Sequence, residues 1–198
     1  MIGYYLTHPQ VLIDPAVPTP RWPLSQKGRD RTKAILGKPW LKTLRRIVAS
    51  DEQKAIDTAS IIADAIGLEF EIGEHLGEND RSSTGFLEPT AFETAADRFF
   101  ADPWTSWNGW ERAADAQARI AAAVDAVLAA HPVEQPILFT GHGAVGSLLK
   151  THLAGRAISR REDQPGGGGN IFAFALFDRA LLCDWTPMES FEGIGHDR

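Results

Sequence analysis

Apolar and polar positions fall into blocks along the chain, and the blocks switch between strand and helix periodicity. Residues 2–6 form a short apolar run that reads as a strand, ended by Thr7-His8-Pro9. Pro9, Pro15, Pro18, Pro20 and Pro23 then predict an irregular loop, because each fixes φ and removes a backbone donor. Ser25 is placed to cap a helix running to about residue 36, where Gly37 and Pro39 stop it. Residues 46–50 form a second strand. After it, Ser50 and Gln53 have capping-box spacing, Ile56, Ala59, Ala63 and Ile66 recur at helical intervals, and Gly67 supplies the stop. Residues 68–72 predict a short edge strand.

From residue 73 to 110 the pattern breaks up into a lid-like excursion, with one helix predicted over 89–100. Residues 111–130 make a long alanine-rich helix, with Ala114, Ala118, Ala121, Val124 and Leu128 assigned to its buried face. A buried strand follows at 137–140 and a helix at 143–153. Residues 171–177 and 181–185 predict a closing hairpin around Asp178-Arg179. The alternation argues for an α/β fold, a three-layer α/β/α sandwich with a mostly parallel central sheet, in a single domain spanning residues 1–198. The glycine run at 166–169 reads as a flexible loop.

Composition narrows the partners. With 198 residues the chain can bury a full core, and its net charge of −6 leaves no basic footprint for nucleic acid. An anionic ligand must therefore be met by local cations. Cys183 is the only cysteine, which excludes an intrachain disulfide and a multi-cysteine metal cluster. No apolar run approaches the ~20 residues of a membrane span, and residues 1–6 are too short for a signal sequence. The expectation is a cytoplasmic protein with neither nucleic acid nor membrane as partner. Nothing in the pattern bears on oligomeric state.

Sites in open α/β sheets form at the C-terminal ends of strands. Thr7-His8-Pro9, the turn from Ser50 to Lys54, and Thr140-Gly141-His142-Gly143 all fall at such ends, and two of them carry a histidine. Gly141 to Gly146 also matches G-x-G-x-x-G, but Glu162 and Asp163 precede a glycine run instead of ending the next strand, so a dinucleotide site is rejected. What remains is a helix N-terminus suited to an anion. Ser147 lies inside a helix without a nucleophile elbow and reads as a packing residue. The histidines lack metal-ligand spacing, so neither a metal nor a cofactor is expected. His75, His131, His152 and His196 read as surface, cap or core-edge residues, and Trp104, Trp107 and Trp110 as an aromatic cluster of the excursion.

Taken in order, Thr7-His8-Pro9, Leu24-Ser25-Gln26-Lys27-Gly28-Arg29, the stretch from Ser50 to Ala59, Leu76-Gly77-Glu78, Gly109-Trp110-Glu111 and Thr140-Gly141-His142-Gly143 resemble the histidine phosphatase superfamily, the phosphoglycerate-mutase-like proteins. The resemblance implies a metal-independent phosphomonoesterase acting on a small phosphorylated substrate. His8 would be the nucleophile, Glu78 the acid and base, and His142 the charge stabiliser, with Thr7, Lys54 and Gly143 at the phosphate. Four positions depart from the family pattern: Thr7 and Lys54 stand where it has arginines, Pro9 where it has glycine, and Asp14 where it has asparagine. Losing one charge-assisted bond removes about 1.5–3 kcal/mol. Arg21 and Arg81 are the candidate compensating cations. Two alternatives stay open: a catalytically weak or inactive member that binds an anionic ligand or a protein partner, and a mutase-type phosphotransferase.

Overall fold

The apolar runs pair into one sheet of six strands, in a computed structural model of the chain that describes residues 1–195. In chain order these are β1 (Ile2–Thr7), β2 (Arg46–Ala49), β3 (Glu71–Ile72), β4 (Ile137–Gly141), β5 (Asn170–Ala175) and β6 (Leu181–Pro187). Across the sheet the order is β3-β2-β4-β1-β5-β6. The first four are mutually parallel, and β5 and β6 close the other edge antiparallel. The helices are α1 (Gln26–Ala34), α2 (Gln53–Ile66), α3 (Pro89–Ala101), α4 (Ala113–Ala129) and α5 (Gly143–Leu153).

Strand alternation sorts the core into two layers. Tyr4, Leu6, Leu138 and Ile171 pack with Ile35 and with Ala59 and Ile62 of α2. Tyr5, Phe139, Phe172 and Phe174 pack on the other face with Phe99 of α3, Ile120 of α4 and Leu148 of α5. Because β1, β2 and β4 are parallel and register Thr7 beside Gly141 and Ala49 beside Thr140, their C-terminal ends bring His8, the Ser50 turn and His142 to one edge of the sheet.

Three local expectations change. The capping box fails: α2 starts at Gln53 behind Glu52, and the Ser50 hydroxyl turns instead to His142. The buried face of α4 keeps the expected Ala121, Val124 and Leu128 but is completed by Ala113, Ala116, Ile120 and Ala123, while Ala114 is only half-buried and Ala118 faces solvent. Alanine fills either face equally well, so the large residues Ile120, Val124 and Leu128 set the orientation. The glycine run is fastened: Arg31 Nη1 donates to the Gly167 and Gly168 carbonyls at 3.1 Å each, and Gly169 N–H donates to the His8 carbonyl at 3.1 Å. Among the described residues no helix is long and apolar enough to cross a membrane.

Candidate active site

His8 is the first residue beyond β1. Its backbone N–H donates to the Gly141 carbonyl at 2.9 Å. Its Nδ1 lies 2.9 Å from the Pro9 carbonyl, which can only accept, so Nδ1 carries the ring proton and Nε2 keeps its lone pair. Burial, with the Lys54 charge nearby, pulls its pKa down to about 4, so the ring is neutral at neutral pH.

His142 sits 5.3 Å from His8, ring centroid to ring centroid, and is fully buried. The Ser50 hydroxyl lies 2.7 Å from Nε2, while Nδ1 has no partner among the described residues. Ser50 Oγ already accepts the Glu52 N–H, and its own hydrogen is free to go to Nε2. That arrangement leaves the proton on Nδ1. Burial drives the His142 pKa well below its usual value against the opposing pull of Glu52, whose Oε1 is 3.7 Å from Nε2. Tyr5 supports the residue from below, its hydroxyl accepting the His142 N–H at 3.1 Å.

The glycines of this stretch make room for side chains. A Cβ on Gly141 would meet the Tyr5 hydroxyl at 2.2 Å, one on Gly146 the Tyr5 ring at 2.5 Å, and one on Gly143 the Gln164 amide nitrogen at 2.1 Å. The resemblance to a dinucleotide fingerprint thus has a packing cause.

Glu78 reaches the N-terminus of α5, where its carboxylate accepts N–H bonds from Val145 at 3.0 Å and Ala144 at 3.2 Å. The helix-terminus anion site expected from the sequence is therefore occupied by a side chain of the protein itself. Burial raises the Glu78 pKa above the usual carboxylate range, outweighing those two bonds.

The phosphate-binding candidates are dispersed. Thr7 is buried, its hydroxyl donating to Gln164 Oε1 at 2.7 Å and accepting the Asn170 N–H at 2.9 Å. Lys54 is also buried, its ammonium held by the Glu52 carboxylate and the Thr19 carbonyl. Arg21 is exposed in a short 3-10 turn, Thr19–Arg21, and Asp14 spends its carboxylate on the Ala16 N–H. Arg81 is the cation that reaches the site.

His8, Glu78, Gly143 and Arg81 face one chamber of about 270 Å³. Arg160 and Gln164 line it too, and Phe92, Phe99, Phe100 and Trp110 form its apolar wall. Arg81 lies 4.9 Å over the Phe92 ring, and Trp110 donates to Thr84 at 2.9 Å, so the 73–110 segment supplies that wall. Trp104 stays outside, 72% exposed. Ser147 donates within α5 to the Gly143 carbonyl, or to Asp163, as a packing residue would. His75 and His152 are exposed, His131 bonds the Gln135 carbonyl, and His196 lies outside the described residues.

Several contributors are absent from the sequence reading. Arg119 bridges Glu111 at 2.8 Å and donates to the carbonyls of His75, Gly77 and Glu78, fastening the loop that carries Glu78. As the lone basic residue of α4 it offered a signal. Glu52, Arg160 and Gln164 offered none, because only the fold brings them near His8.

Gly168 holds His8 in place. Its φ is +62°, and a Cβ there would meet the His8 carbonyl oxygen at 2.3 Å. Gly168→Ala is expected to destabilise by about 1–3 kcal/mol through strain and overpacking. It should also lower kcat at least tenfold, because His8 must shift. Thermal unfolding and steady-state kinetics check both, and an unchanged kcat would show that His8 does not depend on this contact.

Comparison with known proteins agrees with the fold. No curated protein matches the sequence. A mycobacterial glucosyl-3-phosphoglycerate phosphatase bound to inorganic phosphate aligns with a TM-score of 0.78 at 19% identity, covering 96% of this chain and 99% of that one. YhfR of Bacillus stearothermophilus aligns at 0.77 and 19% identity, over 94% and 98%. A phosphoserine phosphatase mutant of Entamoeba histolytica, in complex with phosphoserine, aligns at 0.75 and 14% identity, over 96% and 99%. Likeness at such identity establishes the α/β fold. The family model of the histidine phosphatase superfamily (branch 1) matches residues 18–171. Because that match takes in most of the chain, the protein belongs to the histidine phosphatase superfamily.

Proposed function

We propose that the protein is a metal-independent phosphomonoesterase that acts on a small phosphorylated molecule through a phosphohistidine. The observation that carries this reading is the state of His8: neutral, with its proton fixed on Nδ1 by the Pro9 carbonyl and a lone pair left on Nε2. Nε2 attacks phosphorus as the bond from phosphorus to the ester oxygen breaks. Glu78, whose pKa burial raises, gives a proton to the departing oxygen in the fraction of the enzyme that holds it protonated. In the second half Glu78 takes a proton from water, whose oxygen bonds phosphorus and releases His8. Arg81 supplies the local positive charge; Arg160 lines the same chamber with its guanidinium paired to Glu93, Asp97 and Asp163. His142, 5.3 Å from His8 between ring centroids, keeps an unpartnered Nδ1 that would donate to a phosphoryl oxygen. Gly143 borders the phosphoryl position. Thr7 acts there by orienting Gln164, whose amide nitrogen approaches Gly143. Lys54 acts at longer range, its charge offset by Glu52.

That offset favours a second reading, a chain that binds a phosphorylated ligand without efficient turnover. The pH dependence of turnover decides. On glycerol 2-phosphate, whose alkoxide needs a proton to leave, kcat/KM should rise near pH 4 as His8 loses its proton. It should fall above the usual carboxylate range as Glu78 loses its own. Glu78→Gln should cut the rate by about 10²–10⁴ and remove the falling limb. A falling limb that persists in the variant belongs to the substrate phosphate and rules Glu78 out as the acid. No release of inorganic phosphate at any pH supports the binding reading, and passage of phosphate to a second hydroxyl supports a mutase.

A further inference from the structure

A second chamber, about 590 Å³ in volume, adjoins the first. Glu78, Asn79 and Arg81 line both. Its remaining walls are the proline-rich turn of residues 15–20, Phe86 and three carboxylates, Asp51, Glu52 and Asp80. This inference rests on the phosphatase reading. If Glu78 protonates the departing oxygen, the bond that breaks lies at the partition on which Glu78 stands. The phosphoryl group then sits on the His8 side, beside Arg81, and the alcohol extends into the second chamber.

The charges of that chamber are uneven. Glu52 is neutralised by Lys54. Asp51 and Asp80 form no ion pair among the described residues, and Asp80 accepts the Ser82 N–H at 2.9 Å and a bond from the Ser82 side chain. Arg81 stands at the partition, toward the phosphoryl side. The opposite wall is apolar, built from Val17, Pro18 and Phe86, with the buried Trp22 ring packed 6.0 Å from Phe86. An independent sign of a ligand is Asn79, 5% exposed, whose Nδ2 is buried without a partner among the described residues. An orphaned donor at the partition calls for an acceptor oxygen, such as the ester oxygen of a bound monoester.

From these features we infer that the alcohol carries a cationic head: the substrate class is a phosphomonoester of an amino alcohol. An ammonium group would rest between Asp51 and Asp80 while its carbon chain lies on Val17 and Phe86. A second anionic group, such as a carboxylate beside the phosphate, would meet the same two aspartates and be repelled.

The test compares phosphoethanolamine with 3-phosphoglycerate, with p-nitrophenyl phosphate as a general substrate. In the wild type the ratio of kcat/KM for phosphoethanolamine over 3-phosphoglycerate is expected to be on the order of tenfold or more. The double variant Asp51→Asn, Asp80→Asn should bring that ratio down at least about fivefold. A ratio taken within one preparation is independent of how much of the variant is folded. A wild-type ratio at or below one, or a ratio the double variant leaves unchanged, overturns the inference while hydrolysis of the aryl phosphate keeps the phosphatase reading standing. Failure to hydrolyse all three overturns both.

Discussion

Replacing His8 by alanine is expected to reduce release of phosphate to background, a loss of at least about 10³-fold in kcat/KM. The size follows from the role: without a ring nitrogen no covalent intermediate forms, and Arg81 and His142 can only bind. The fold should tolerate the change. The His8 ring makes its hydrogen bond to its own neighbour Pro9, and the backbone bonds to Gly141 and Gly169 survive in alanine. Thermal unfolding should therefore shift little while activity disappears. Brief incubation of the wild type with a ³²P-labelled ester, followed by alkaline denaturation, should leave label on the protein, and His8→Ala should carry none. A variant that keeps a tenth of wild-type activity would remove His8 from the nucleophile's place.

His8 and His142 were legible in the sequence because strand ends announce themselves locally. An apolar run stops, a polar triplet follows, and the parallel register Thr7–Gly141 brings the two triplets together. The strands and all five helices were legible to within a few residues for the same reason, since Pro, Gly and Ser mark their ends. The face of α4 was legible only in its second half, at Ala121, Val124 and Leu128, because alanine carries almost no facial information. The electrostatics of the site were hidden more deeply. Lys54 stands where the family has arginine, which points to a phosphate contact. Only the fold shows that Glu52, two residues earlier on the same turn, takes the charge. Arg160 reaches the chamber from beyond α5, at a distance along the chain that no local pattern spans.

The pairing of Glu52 with Lys54 carries the largest stability prediction. Both side chains are buried, at 10% and 5% side-chain exposure, and the Glu52 carboxylate also accepts the Glu78 N–H at 2.8 Å. Burial alone would raise its pKa, but His142, Lys54 and the Glu78 N–H outweigh it and bring the value to about 2. A carboxyl whose folded pKa lies below its unfolded one stabilises the fold above the unfolded value near 4.5. That stability is lost as the pH falls toward 2. Glu52→Gln leaves the Lys54 ammonium buried with the Thr19 carbonyl as its remaining partner, so a loss of about 3–5 kcal/mol is expected. Removing both charges, as Glu52→Gln with Lys54→Met, should restore most of that stability, because no uncompensated ion remains. Urea unfolding at pH 7 of the two single variants and the double variant gives the coupling directly. The stability lost by Glu52→Gln should itself shrink as the titration is repeated from pH 7 toward pH 3. A loss under about 1 kcal/mol at pH 7 would mean that Lys54 finds another partner. The natural one is a phosphoryl oxygen, and such a variant should then bind phosphate more tightly than the wild type.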